Sequence, residues 1–294
     1  MTKSGNITVF GATGNIGIEL LHHLSKAQLS TVAVTRDINK AKPMDNVRWI
    51  EADITDQASL QNVLKHGGTV FLLSGHGPAF VQQQKNVIEV AAAYGVHHLV
   101  KLSSGAVAQD SPFYIPDSFI GKAHGEVEQF LKSSGLNWTI LQPNAFMQNW
   151  LGDLAVTVKQ EHKIYEATAE GKRAYIDLRD ISEVAFKVLT EPEKHAGKTY
   201  LLTGQEAVNF YDVAEIISEV TGKETGFTAL SIAGARERLE KKGLPLIAIQ
   251  SILAYAEAQR EGKTAYVSDA VSTILKRPAR SVQSFVEDHL AYFR

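Results

Sequence analysis

Apolar residues in the first half of the chain follow two alternating patterns. Short runs rich in β-branched residues, at 7–10, 31–34, 47–50, 69–73, 98–102 and 138–141, are near-continuous rather than alternating, the pattern of strands covered on both faces. Between them lie stretches with apolar positions three and four apart. In 15–27, Ile16, Leu20, Leu21 and Leu24 share one face, and 57–65, 82–93 and 122–133 read as further helices. Strands alternating with helices, over connections long enough for right-handed crossovers, predict an α/β fold on a doubly wound parallel sheet.

After Pro143 the rhythm loosens. Helical patterns occupy 146–158, 181–189, 210–220, 232–242, 247–260 and 281–292, while 173–178 and 199–202 read as strands. Two regions are expected: a sheet-bearing core at 1–145, and a smaller, mostly helical cap at 146–294. The cap would cover the carboxyl ends of the strands, with 173–178 and 199–202 returning to the core.

Composition narrows the function classes. With 30 basic and 32 acidic residues in 294, nothing supports a broad nucleic-acid-binding face, and no nucleic-acid partner is expected. The absence of cysteine removes disulfides, thiolate catalysis and cysteine metal sites. The amino terminus is polar, and no apolar run approaches the roughly 20 residues of a membrane span. A cytoplasmic protein without a membrane span, monomeric or homodimeric, is the expectation.

The densest local signal is Gly11-Ala-Thr-Gly-Asn-Ile-Gly17, set between the first strand and the first helix. Gly11 permits a tight turn, Gly14 a close backbone approach to a diphosphate, and Gly17 close helix–strand packing. Thr13, Asn15 and Ile16 complete the loop beside the unpaired N–H groups of the helix start. This predicts a Rossmann-like dinucleotide site. Where an NAD site commonly places an acid after the second strand, this chain has Arg36, whose guanidinium suits a 2′-phosphate. NADPH is the expected cofactor, with NADH as the second choice, and Asp37 lies one position beyond. Asp53 suits either the adenine amino group or the cap of the helix near Gln57. Ser74 and Gly75 end the fourth strand where the cofactor's central phosphates and ribose should lie; His76 and Phe80 are placed against the substrate or in loop packing.

The fifth strand runs into Ser103 and Ser104, hydroxyl donors at the ligand edge. Lys122 opens the following helix, either reaching ribose hydroxyls or solvated. Pro143 and Asn144 close the sixth strand beside the cofactor. Phe146, Met147 and Trp150 follow, as an aromatic lining for a planar acceptor or as core of the cap. The histidine pairs and carboxylates form no metal motif, so no metal is expected.

The glycine loop, Leu102-Ser-Ser-Gly105, Lys122 with Glu126, Trp138-Thr-Ile-Leu-Gln-Pro-Asn-Ala-Phe-Met-Gln-Asn149 and Tyr175-Ile-Asp-Leu-Arg-Asp-Ile-Ser-Glu-Val-Ala185 together resemble the short-chain dehydrogenase/reductase superfamily. Within it the chain is similar to the atypical NmrA-like branch, which includes bacterial NAD(P)H:quinone oxidoreductases, triphenylmethane reductases and redox-sensing regulators. The superfamily's acid/base tyrosine sits four positions before its lysine, and here that position is Ser118. The resemblance therefore implies flavin-free reduction of a quinone or a similar electron-poor conjugated acceptor, with Lys122 and Ser104 at the chemistry. The alternative is an NADP(H)-sensing regulator that acts through a protein partner.

Overall fold

The computed structural model describes residues 6–116 and 118–294; the polar stretch 1–5 lies outside them. The expected alternation is present as β1 (Ile7–Val9), α1 (Asn15–Lys26), β2 (Thr31–Thr35), β3 (Val47–Glu51), α2 (Gln57–Leu64), β4 (Gly68–Leu72), α3 (Phe80–Ala93), β5 (Val96–Leu102), α4 (Phe119–Ser133) and β6 (Trp138–Pro143). The chain continues through α5 (Asp153–Glu161), β7 (Lys163–Glu166), α6 (Leu178–Thr190), α7 (Pro192–His195), β8 (Lys198–Leu202), α8 (Phe210–Thr221) and β9 (Gly226–Ala229). It ends in α9 (Ile232–Lys241), α10 (Leu246–Arg260), α11 (Ala270–Leu275), α12 (Val282–Asp288) and α13 (Leu290–Phe293).

Two compact units emerge. The first comprises the residues up to Val107, Lys122–Pro143 and Leu178–Leu201; the second comprises Ala108–Gly121, Asn144–Asp177 and Leu202–Arg294.

The first unit is built on a seven-stranded sheet in the order β3-β2-β1-β4-β5-β6-β8, with β1 to β6 pairing in parallel. Every residue of β2 is buried, as a strand covered on both faces requires. The apolar stripe of α1 is buried at Ile16, Leu20, Leu21 and Leu24, and the helix packs against α6. Phe10, Val34, Leu60, Val70, Phe80, Val127 and Ile140 belong to one core. Each fully buried side chain of this size contributes about 1.5–3 kcal/mol of transfer free energy. Capping follows local chemistry: Asp56 accepts from the Ala58 N–H at 3.0 Å to start α2, and Ser118 Oγ accepts from the Gly121 N–H at 3.1 Å to start α4.

The second unit is mostly helical, with its core at Met147, Trp150, Val158, Phe210, Phe285 and Phe293. Here the observed elements depart from the sequence expectation. The helix expected at 146–158 breaks at Gly152 (φ −89°, ψ −120°) into a 3-10 turn, Met147–Leu151, and α5. Residues 173–178 form isolated bridges instead of a strand, Arg173 opposite Val208 and Ile176 opposite Phe146, and α6 starts at Leu178. β7 and β9 form a two-stranded parallel sheet without a strand signal in the sequence, because neither segment carries a continuous apolar run. The stretch 281–292 divides at His289 into α12 and α13. Among the described residues, no helix is long and apolar enough to cross a membrane.

Candidate active site

Strand order reverses between β1 and β4, and the crevice at such a switch point is where open α/β sheets bind ligands. The glycine loop leaves β1 at that point. Gly11 adopts φ +71°, and a Cβ on it would lie 2.7 Å from the Leu73 carbonyl oxygen, so the loop rests on the exit of β4. A Cβ on Gly17 would stand 2.9 Å from Ala12 Cα and closer still to the Gly11 oxygen. Gly14 is different: it is exposed, its φ is −81°, and its Cβ would meet only the Gly11 oxygen, at 3.4 Å. Gly11 and Gly17 are therefore fixed by the fold, whereas Gly14 keeps a bare backbone towards solvent. Thr13 and Asn15 are exposed beside it and Ile16 is buried beneath. α1 begins at Asn15 with no side chain capping its first turn, leaving N–H groups to receive an anion. The cradle fits a dinucleotide diphosphate.

At the end of β2, Arg36 is exposed. The Asp37 carboxylate is occupied, accepting from the Asn39 N–H at 3.0 Å and from its amide at 3.1 Å. Asp53 Oδ1 accepts from the backbone and hydroxyl of Thr55, both at 2.8 Å. These bonds, helped by the charge of Arg36, hold the carboxyl below its usual range. The cap of α2 belongs to Asp56, so Asp53 does not serve that role.

Several residues expected at the ligand are turned inward. Ser103 is buried, and its hydroxyl donates to Glu128 Oε1 at 2.5 Å; Gln142 donates to the same carboxylate at 2.9 and 3.1 Å. Ser104, half-buried, accepts from the Ala106 N–H at 3.3 Å. Ser74 accepts from Gln84 at 3.1 Å, and Gly75 has nothing within 4 Å of its Cβ position. Phe80 is buried in the core of the first unit instead of facing a substrate. Lys122 is exposed in the first turn of α4. Pro143 accepts from the Gly105 N–H at 3.0 Å.

In the second unit, Asn144 is buried and bonded through both its amide oxygen and its amide nitrogen. It donates to the Ala174 carbonyl at 2.9 Å and accepts from Arg173 Nε at 3.2 Å, which leaves its amide little freedom to address a cofactor. Met147 and Trp150 are core. The Trp150 ring meets Tyr175 at 4.8 Å and Phe285 at 5.8 Å, edge to face. Phe146 is half-buried.

His76 makes a contact that the sequence did not disclose. Its Nε2 lies 2.9 Å from Nε2 of His124 on α4, and His124 Nδ1 lies 2.9 Å from Nζ of Lys101 on β5. Lys101 is fully buried and also donates to the Leu102 carbonyl at 3.1 Å; Phe80 lies beneath, 5.9 Å from the ammonium. Burial lowers Lys101 to about 7, although the Glu128 charge opposes the shift. His124 falls to about 2, through burial first and then the charges of Lys101 and His76. The His76 ring is lowered as well, by partial covering and by Lys101. The signal was present in the sequence: a lysine interrupts a strand apolar on both faces, and His124 and Glu128 occupy the stripe of α4 that Val127 and Leu131 reserve for the core. No group of three or more histidine or acidic side chains among the described residues is placed to hold a metal.

The model of the NmrA-like family matches residues 3–278. The chain belongs to the NmrA-like family. Among curated relatives of this NmrA-like protein, the NAD(P)H azoreductase of Xenophilus azovorans is 32% identical over 98% of this chain and 99% of its own. The (4-alkanoyl-5-oxo-2,5-dihydrofuran-3-yl)methyl phosphate reductase of Streptomyces griseus is 31% identical, over 98% and 99%. Among solved structures, an NADPH-dependent quinone oxidoreductase of Escherichia coli in complex with NADPH superposes with a TM-score of 0.87 at 26% identity, covering 97% of this chain and 99% of that one.

Proposed function

We propose that this NmrA-like protein is an NADPH-dependent oxidoreductase that reduces electron-poor conjugated acceptors, quinones foremost, without flavin. The observation that carries the reading is the cradle at the β1–β4 switch point, with Gly11 and Gly17 locked by the fold and Gly14 open. Two features support the acceptor class. The near-full-length relatives named above are reductases of azo, conjugated-lactone and quinone compounds. Ser118, at the position of the superfamily's tyrosine, spends its hydroxyl oxygen capping α4 and has no side chain suited to proton transfer at neutral pH.

In this reading the bound cofactor supplies hydride, and the chain supplies placement. The start of α1 and the Gly14 backbone receive the diphosphate. Arg36 pairs with the 2′-phosphate, while Asp37, one position further on, turns Oδ1 to Asn39. Asp53, Ser74, Gly75, Lys122 and Ser104 border the remainder of the cofactor. The test is oxidation of NADPH followed at 340 nm with a panel of benzoquinone, naphthoquinone, azo and enone acceptors, alongside binding titrations with NADPH and NADH. Turnover with the quinones and tighter binding of NADPH are expected. Tight binding without turnover of any acceptor would overturn the enzymatic reading in favour of a sensor.

A further inference from the structure

Two-electron reduction of a quinone or azo acceptor needs a proton as well as a hydride, and this chain lacks the tyrosine that would give it. Resting on the reductase reading above, we infer that His76 is the proton donor, and that it is recharged through His124 from the buried ammonium of Lys101.

The wiring follows from donor and acceptor inventories. An ammonium only donates, so Lys101 gives one N–H to the Leu102 carbonyl and another to His124 Nδ1. His124 then carries its hydrogen on Nε2 and donates to His76 Nε2. That leaves the His76 hydrogen on Nδ1, on an exposed residue just past the end of β4, the strand on which the glycine loop rests. The three groups form a single file from the core to the surface.

Each transfer balances. The acceptor gains a hydride and becomes an oxyanion or nitrogen anion. An O–H or N–H bond forms to it as the His76 Nδ1–H bond breaks. His76 Nε2 takes the proton of His124 Nε2, and His124 Nδ1 takes one from Lys101, which ends as a neutral amine. The reversed tautomers keep both hydrogen bonds, with His124 Nδ1–H now donating to the amine. A proton from water entering at His76 restores the resting state. A reservoir near pH 7 is well matched to a phenolate-like product whose own pKa is about 10. The charged and titratable groups facing the file are Glu128 on α4, turned to Ser103 and Gln142, and the three members themselves; Lys85 of α3 and Glu126 of α4 pair with each other at 2.7 Å.

The test compares two acceptors that differ in proton demand. Naphthoquinone needs hydride and a proton, whereas crystal violet, a triarylmethane cation, becomes neutral on accepting hydride alone. The kcat ratio of naphthoquinone to crystal violet should fall about 100-fold in K101M and in H76Q. In the wild type that ratio should decline as pH rises through about 7, and the inflection should vanish in K101M. The ratio is insensitive to a general loss of folded protein or of cofactor binding. A second readout needs no turnover: 15N-histidine spectra of the free protein should show His124 uncharged and, below about pH 7, as the Nε2–H tautomer, with His76 titrating higher in K101M. An unchanged ratio in both variants, or His124 as the Nδ1–H tautomer below about pH 7, where Lys101 is charged, overturns the relay. Failure of the wild type to reduce either acceptor overturns the reductase reading instead, and the histidine spectra then decide the wiring alone.

Discussion

Gly14 and Gly17 are chemically the same residue three positions apart, yet alanine should act on different properties at the two sites. At Gly17 the added carbon would sit 2.9 Å from Ala12 Cα, against the roughly 3.4 Å at which ordinary contact begins, and nearer still to the Gly11 oxygen. Both neighbours are backbone, so α1 must withdraw from the loop by about 0.5 Å or more. Overpacking of this kind costs about 1–3 kcal/mol. At about 2–4 °C per kcal/mol, Gly17→Ala should lower the melting temperature by about 2–12 °C. Gly14→Ala should leave it near the wild-type value, because the new carbon reaches no atom closer than 3.4 Å and a φ of −81° is open to any residue. The methyl group would instead occupy the solvent face where a diphosphate must approach, and NADPH affinity should fall at least tenfold, about 1.4 kcal/mol. Thermal melts by circular dichroism and fluorescence titration with NADPH separate the two effects. A Gly14→Ala variant that binds NADPH like the wild type, or a Gly17→Ala variant that melts with it, would refute the division of labour.

Other expectations concern the cofactor's 2′ end, the second core and the buried lysine. Arg36→Ala should weaken NADPH roughly 10- to 100-fold, the loss of one or two charge-assisted contacts, and leave NADH unchanged in parallel titrations; equal weakening of both would remove Arg36 from that role. Trp150→Ala should cost about 3–5 kcal/mol in urea unfolding, because the ring is buried against Tyr175, Phe210 and Phe285; a loss below 1 kcal/mol would contradict that packing. Lys101, lowered to about 7 in the fold, binds its proton more weakly there than in the unfolded chain. Between about pH 7 and 10 the unfolded state holds the extra proton, so the wild type should gain stability relative to K101M as pH rises, by at most about 1.4 kcal/mol per pH unit. A difference between the two that is flat over this range would show Lys101 to titrate normally.

What the sequence disclosed was what depends on neighbours in the chain. The Gly11–Gly17 loop is legible because strand, turn and helix start are contiguous, and the structure returns each glycine with a distinct steric environment. The strands up to β6, the half-exposed edge strand β3 aside, are legible because burial on both faces erases alternation. The site's interior was less accessible. Ser103 stands at the expected strand end, but its hydroxyl is drawn inward by Glu128, 25 positions away, which local patterning does not report. In the sequence Met147 and Trp150 suit acceptor lining or core alike, and the break at Gly152 replaces the continuous helix that would give them a common face. Lys101 and His124 were visible as exceptions, ionisable residues at positions that the hydrophobic pattern reserves for apolar ones. Only their 2.9 Å separation gives the exceptions a common meaning.

The two compact units are interleaved in sequence, the chain passing from one to the other after Val107, Gly121, Pro143, Asp177 and Leu201. On the ribosome, the first unit therefore cannot complete its sheet until β8 has emerged, well after the nucleotide-type loop has been made. Only β6 borders β8, so its outer edge must wait, exposed, for a partner encoded late, while β1 to β5 already pair with one another and with β6. The same threading constrains how such a protein diversifies. No single recombination crossover separates the two units, so exchanging one for a relative's requires coordinated junctions at every passage. Point substitution on a retained backbone is the accessible route to a new acceptor.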